Sequence, residues 1–176
     1  MNNLKRIYVW LCRLPYCRGF GIQSPTDYAF VRYVINEHWQ YYAYEQLNRL
    51  EGDWLEHKLG RLYFRLANWR QPAKMMEDEY APYWKAGCHN VRLTKEMESI
   101  ELVRVRMADI TDSLLHHIYN KVDDQSVLVI EGISQNWGLW RQIQEDQHVR
   151  VSFDLYYCGI VFFDNKRQKQ HYKVNF

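Results

Sequence analysis

The chain has 176 residues, 47% hydrophobic and 25% charged, with a net charge of +2. That length and composition suit a single domain over residues 1–176, able to bury about 70% of its unfolded surface in one core without staples. Both charge signs interleave along the chain, which excludes the strongly basic stripe of an electrostatic nucleic-acid binder, so no nucleic-acid partner is expected.

In chain order, residues 4–14 predict a short amphipathic helix closed by Pro15 and docked on the domain or on a neighbouring chain. Its apolar run, Ile7 to Cys12, ends at Arg13, too soon for a membrane span or a secretory leader, so no membrane partner is expected. Residues 18–23 read as a turn. Ser24 then caps a helix with Pro25 at its first position and Asp27 in its first turn, and Tyr28, Val31, Val34 and Ile35 follow at helical spacing. Residues 41–69 are mostly helical, with Gly52 and Gly60 as breaks and Pro72 as the stop. Arg61, Arg65 and Arg70 read as a solvated face of that segment.

Beyond Pro72 strands alternate with helices. Strands are expected near 73–77, 91–95, 100–107 and 126–131, and helices near 80–87, 110–121 and 136–147. Residues 149–157 and 159–163 form closely joined strands, which pair antiparallel, and 170–176 is a further strand. This predicts an N-terminal helical cap over 1–70 and an α/β core over 71–176, its mixed sheet carrying antiparallel C-terminal edge strands.

Several chemistry-bearing residues invite functional readings. Cys12, Cys17, Cys88 and Cys158 lack redox or zinc spacing and read as reduced thiols of a cytoplasmic protein, with Cys158 a buried hydrophobe in a strand. His116 and His117 are adjacent on a helix and so do not face one ion; one is expected at the surface and one half-buried. Lys166, Arg167 and Lys169 read as a polar loop between strands. The aromatic share of 16%, with 14 Tyr and 7 Trp, fits either a tightly packed core or a partner surface.

The ends of the chain carry a resemblance. Phe20-Gly-Ile-Gln-Ser-Pro25 with Tyr28-Ala-Phe-Val31 resembles the opening of a family of bacterial class I S-adenosylmethionine (SAM)-dependent methyltransferase-like proteins. Lys121 to Ile133 resembles that family's fifth strand and its lead-in. Phe153-Asp-Leu-Tyr-Tyr-Cys-Gly-Ile-Val-Phe-Phe163 and Gln168-Lys-Gln-His-Tyr-Lys-Val-Asn-Phe176 resemble its ending. The resemblance implies a Rossmann-like sheet and places Asp154 in the sixth strand, in a structural hydrogen bond. The run 100–107 fits the family's fourth strand better than its third, so a strand and one or two helices are missing from the middle.

The departures fall on the chemistry. Family members with a cofactor site follow the first strand with an acid and a glycine turn that brings backbone N–H groups to the ligand. This chain reads Glu77-Asp-Glu-Tyr-Ala-Pro-Tyr-Trp84, with bulky rings in that space and a proline that has no N–H. The acid that holds the cofactor's ribose would be Glu96. The fourth-strand aspartate is replaced by the run Arg104 to Met107, with Asp109 beyond it, and the acidic pair after the fifth strand becomes Glu131-Gly132. The only cofactor-binding candidates are therefore Glu77, Asp78, Glu96 and Glu131; no catalytic residue and no metal site is assigned, and no cofactor is expected.

The reading that results is a shortened, degenerate methyltransferase-like domain with a protein-interaction or structural role, leaning away from an enzyme. Its partners would be an unidentified protein and a second copy of itself, because a shortened sheet exposes an edge. The alternative is a SAM-dependent methyltransferase acting on a small molecule through a rebuilt cofactor site. A third reading is a binder of another small ligand in the same crevice. Whether Tyr80, Tyr83 and Trp84 fill the volume beside Asp78 separates these.

Overall fold

The structure is a computed structural model that describes residues 3–76, 78–94 and 99–176. The chain is α/β and divides into two compact units. The first comprises Met1–Ala73, Glu77–Leu93 and Asn175–Phe176, and the second Lys74–Met76 and Thr94–Val174. Residues 77–93, which the sequence groups with the α/β core, thus belong with the N-terminal helices.

The first unit holds five α-helices among the described residues. They are α1 (Asn3–Cys12), α2 (Pro25–Phe30), α3 (Ala43–Leu47), α4 (Trp54–Arg70) and α5 (Ala81–Gly87). Ser24 caps α2 as expected, its hydroxyl accepting from the Asp27 N–H at 3.3 Å. The helix then widens into a π-helical turn over Val31–Ile35. Asp53 and Glu56 form a reciprocal capping box at the start of α4. Gly52 falls before α4, but Gly60 lies inside it and breaks nothing. A Cβ at Gly60 would overlap the Tyr83 ring of α5, and one at Gly87 would overlap the Phe64 carbonyl. Both glycines are there because α4 and α5 approach closely, a requirement that helical periodicity alone does not show.

Arg65 corrects the sequence reading. Its side chain is buried rather than solvated. Its Nε donates to the Val34 carbonyl at 2.6 Å, Nη2 to the Ile35 carbonyl at 2.9 Å, and Nη1 to the Tyr44 hydroxyl at 3.2 Å. The carbonyls at the end of the π turn have no helical partner, and the guanidinium supplies their donors.

The sheet has seven strands in the order β2-β1-β3-β4-β6-β5-β7. They are β1 (Lys74–Met76), β2 (Arg92–Thr94), β3 (Ile100–Arg106), β4 (Val122–Glu131), β5 (Val151–Asp154), β6 (Cys158–Phe162) and β7 (Gln170–Lys173). The division between units falls within β2. β1 and β4 both pair with β3 in parallel, with Leu102 opposite Val127 and Arg106 opposite Glu131. β6 is antiparallel to both β4 and β5.

The C-terminal edge departs from expectation: β7 pairs with β5 in parallel. Phe162 and Gln170 both lie opposite Val151, on its two sides. The connection 163–169 therefore passes the start of β5 and reverses direction. A short connection makes β6 and β7 antiparallel to each other, but it spans two strand spacings of about 4.8 Å, so the two strands are not neighbours.

One face of the second unit's sheet is covered by α6 (Asp112–Tyr119) and α7 (Trp137–Glu145). Val103, Val105, Leu128, Ile130 and Val161 from the strands pack with Ile118, Trp140 and Ile143 from the helices. Trp140 lies so close to β6 that a Cβ at Gly159 would overlap its ring. Lys169 closes α7, its ammonium donating to the Glu145 and Asp146 carbonyls at 2.7 and 2.8 Å.

Candidate functional site

The turn after β1 is the position where a cofactor would meet the backbone. Asp78 is the described acid among its two candidates; Glu77, like Glu96, lies outside the described residues. The Asp78 carboxylate faces inward along its own chain. One oxygen accepts from the Tyr80 N–H and from the Trp84 indole N–H, both at 2.8 Å. Of the other backbone donors in this stretch, Ala81 bonds the Asp78 carbonyl at 3.1 Å, while Tyr83 and Trp84 both bond the Tyr80 carbonyl, at 2.9 and 3.1 Å. Pro82 has none. Every backbone N–H from residue 80 to 84 is thus consumed inside the turn.

The side chains fill the remaining volume. Trp84 is fully buried, and Tyr80 and Tyr83 are nearly so. Tyr63 of α4 stacks on Trp84 at 4.8 Å between centroids and meets the edge of Tyr80 at 4.7 Å. The Tyr83 hydroxyl reaches His57 Nδ1 at 2.9 Å and donates to the Leu47 carbonyl at 3.4 Å. Burial raises the Tyr83 pKa above its ordinary value, opposed by the Arg61 charge, so the phenol keeps its proton. These rings have the role of a core seam between α4 and α5.

Glu131, at the end of β4, belongs to the second unit. It accepts from Arg104 Nε of β3 at 2.9 Å, with the arginine side chain almost wholly buried and the carboxylate partly so. Arg104 therefore neutralises Glu131. Arg106 and Asp109 form a separate exposed pair at 2.7 Å. After Glu131, Gly132 adopts φ of 79° and donates its N–H to the Tyr157 carbonyl, which closes the strand end with backbone.

The remaining sequence candidates have local roles. Asp154 accepts the Tyr156 N–H at 2.8 Å, the structural bond the resemblance implies, and holds Tyr156 at a positive φ of 72°. His116 and His117 are both exposed, which corrects the half-buried expectation for one of them. α6 packs inward through Leu114, Leu115 and Ile118 instead. Cys88 and Cys158 are buried, and all four cysteines are thiols. Among the described residues no group of three His, Cys, Asp or Glu side chains could hold a metal ion. Nor is any helix among them long and apolar enough to cross a membrane.

A concave site that sequence reasoning missed lies wholly within the first unit. It is a cleft of about 540 Å³ with walls that include Trp10, Trp39 and Trp54, and with Arg18, Lys58 and Arg61 among its polar lining. These residues come from α1, the 3₁₀ turn Leu14–Gly19, the 36–40 loop and α4. Their separation along the chain hides the grouping; the only sequence signal is a local excess of Trp and Arg in the N-terminal part.

Comparison of the chain with protein-family models, with curated proteins and with solved structures gives no match.

Proposed function

We propose that this chain is a shortened member of the class I methyltransferase-like group that keeps a Rossmann-like sheet without the cofactor turn, and that it serves as a protein-interaction or structural domain. Two features support the scaffold. The strand order steps from β1 outward to β2 and returns to β3 on the other side of β1, as at the switch point of a doubly wound sheet. β6 then inserts antiparallel between β4 and β5, as a mixed edge would require.

The observation that carries the non-catalytic reading is the spent turn after β1. Cofactor binding at a strand end needs open backbone donors and room for the ligand to approach. Here Asp78 and the Tyr80 carbonyl take the donors, and three buried rings take the room. The four thiols suit the reducing, cytoplasmic setting we assign to it.

Calorimetric titration of the full chain with SAM and with S-adenosylhomocysteine tests this. No heat and no thermal shift at millimolar ligand are expected. Binding tighter than about 100 μM, roughly 5.5 kcal/mol, would overturn the proposal and support a methyltransferase with a rebuilt site.

A further inference from the structure

We propose that the cleft of the first unit binds a small organic anion that joins a planar ring to a phosphate or carboxylate group. The inference stands apart from the turn after β1 and does not depend on whether that turn holds a cofactor.

The polar lining is partly committed to the protein itself. Arg65 at the base is already committed to the carbonyls of Val34 and Ile35. Arg61, one helical turn earlier in α4, spends Nη2 on the Asn48 side-chain oxygen at 2.7 Å, but its Nε is buried with no hydrogen-bond partner. Asn36 lines the same cleft and likewise has a buried Nδ2 without a partner. Both atoms are sealed from the cleft space, so an occupant would meet the rest of the Arg61 guanidinium rather than these two donors.

The lining charge is mainly positive. Arg18, Lys58 and Arg61 are opposed by one lining carboxylate, Glu37. That carboxylate is turned to its own backbone, accepting from the His38 N–H at 2.7 Å and the Trp39 N–H at 2.9 Å. It shapes the loop that carries Trp39. A concave surface rich in arginine concentrates anions, and an arginine fork matches phosphate and carboxylate oxygens.

The apolar lining is aromatic. Trp39 is 73% exposed, an unusual state for an indole, and Trp54 is 40% exposed. Lys58 lies over the Trp54 ring at 5.1 Å and over the Phe176 ring at 4.4 Å, so charge and ring faces adjoin. The Arg6 guanidinium already covers the Trp54 ring at 3.4 Å, so the face that suits stacking with a flat ligand is that of Trp39, and the volume falls within the range of about 300–1,000 Å³ of small-molecule pockets.

The test is calorimetric titration of the full chain at low salt with four probes: AMP, benzoate, adenosine and inorganic phosphate. The expected result is a Kd of about 1 mM or tighter for AMP, benzoate or both, at least tenfold tighter than for adenosine and for phosphate. AMP alone would assign a phosphate ligand, and benzoate alone a carboxylate. Trp39→Ala and Arg61→Gln should each weaken binding at least tenfold. If Arg61→Gln lowers the melting temperature, Arg18→Asn replaces it, at an exposed site whose φ of 53° asparagine accepts. The proposal is overturned if neither anion binds, if adenosine binds as tightly as AMP and benzoate does not bind, or if folded variants at both Trp39 and an arginine leave the Kd unchanged.

Discussion

Gly60 shows how a single residue records a tertiary contact. An exposed helical glycine replaced by alanine gains about 1 kcal/mol from helix propensity. Here the added methyl would overlap the Tyr83 ring, which is buried and held by His57 and the Leu47 carbonyl. Overpacking of that kind costs about 1–3 kcal/mol and the ring has little freedom to move, so the clash outweighs the gain. Gly60→Ala is expected to lower stability by about 1–2 kcal/mol in urea unfolding; an unchanged or raised midpoint would mean that Tyr83 yields. Arg65 and Asp78 illustrate the same dependence. Arg65 reads from sequence as a solvated charge and Asp78 as a cofactor-binding candidate, and each proves to be a hydrogen-bonding centre for backbone or indole groups brought to it by folding.

Among the elements, α4 is the most fully specified by its own residues. Asp53 accepts the Leu55 and Glu56 N–H groups at 2.6 and 2.9 Å, and Glu56 returns a carboxylate to the Asp53 N–H. These N–H groups, that of Glu56 foremost, hold the Asp53 pKa below its ordinary value. Asp53→Ala should cost about 1 kcal/mol at neutral pH, seen as a lower melting temperature. A lowered folded-state pKa contributes fully above the unfolded value of about 3.9 and less as the pH falls toward the folded value, so the difference between the two proteins should shrink below a pH of about 3.9. A difference that does not shrink as the pH falls below about 3.9 would show that the carboxylate charge is not what the cap uses. Helix starts of this kind were legible: Ser24 and Pro25 open α2 where the sequence places them. The strand segments were legible too, from their apolar runs. The partner of β7 was not, because a seven-residue connection sets direction without setting adjacency.

At the scale of the whole molecule, the outward face of α1 bears on assembly. Leu4, Ile7, Tyr8 and Leu11 recur at helical spacing and are all exposed, Leu4 at 74% and Ile7 at 57%. A row of large apolar side chains along one face is a feature of surfaces that meet a partner. We propose that the chain forms a homodimer through this row. Light scattering at micromolar concentration should give twice the 21.5 kDa chain mass, and Ile7→Glu with Leu11→Glu should return it to one. A wild-type monomer at that concentration would remove the proposal.

The sequence by itself determined the kinds of element and their order, because helix caps, proline stops and hydrophobic period act over a few residues. It also determined that the turn after β1 lacks glycine and carries bulky rings, since that is a matter of composition at one place. Only the tertiary structure decided what those rings do, which charges are buried, which strand lies beside which, and that three tryptophans and four cations line one cleft. These outcomes depend on segments far apart in the chain, and a side chain's environment is set by what packs against it rather than by its neighbours in sequence.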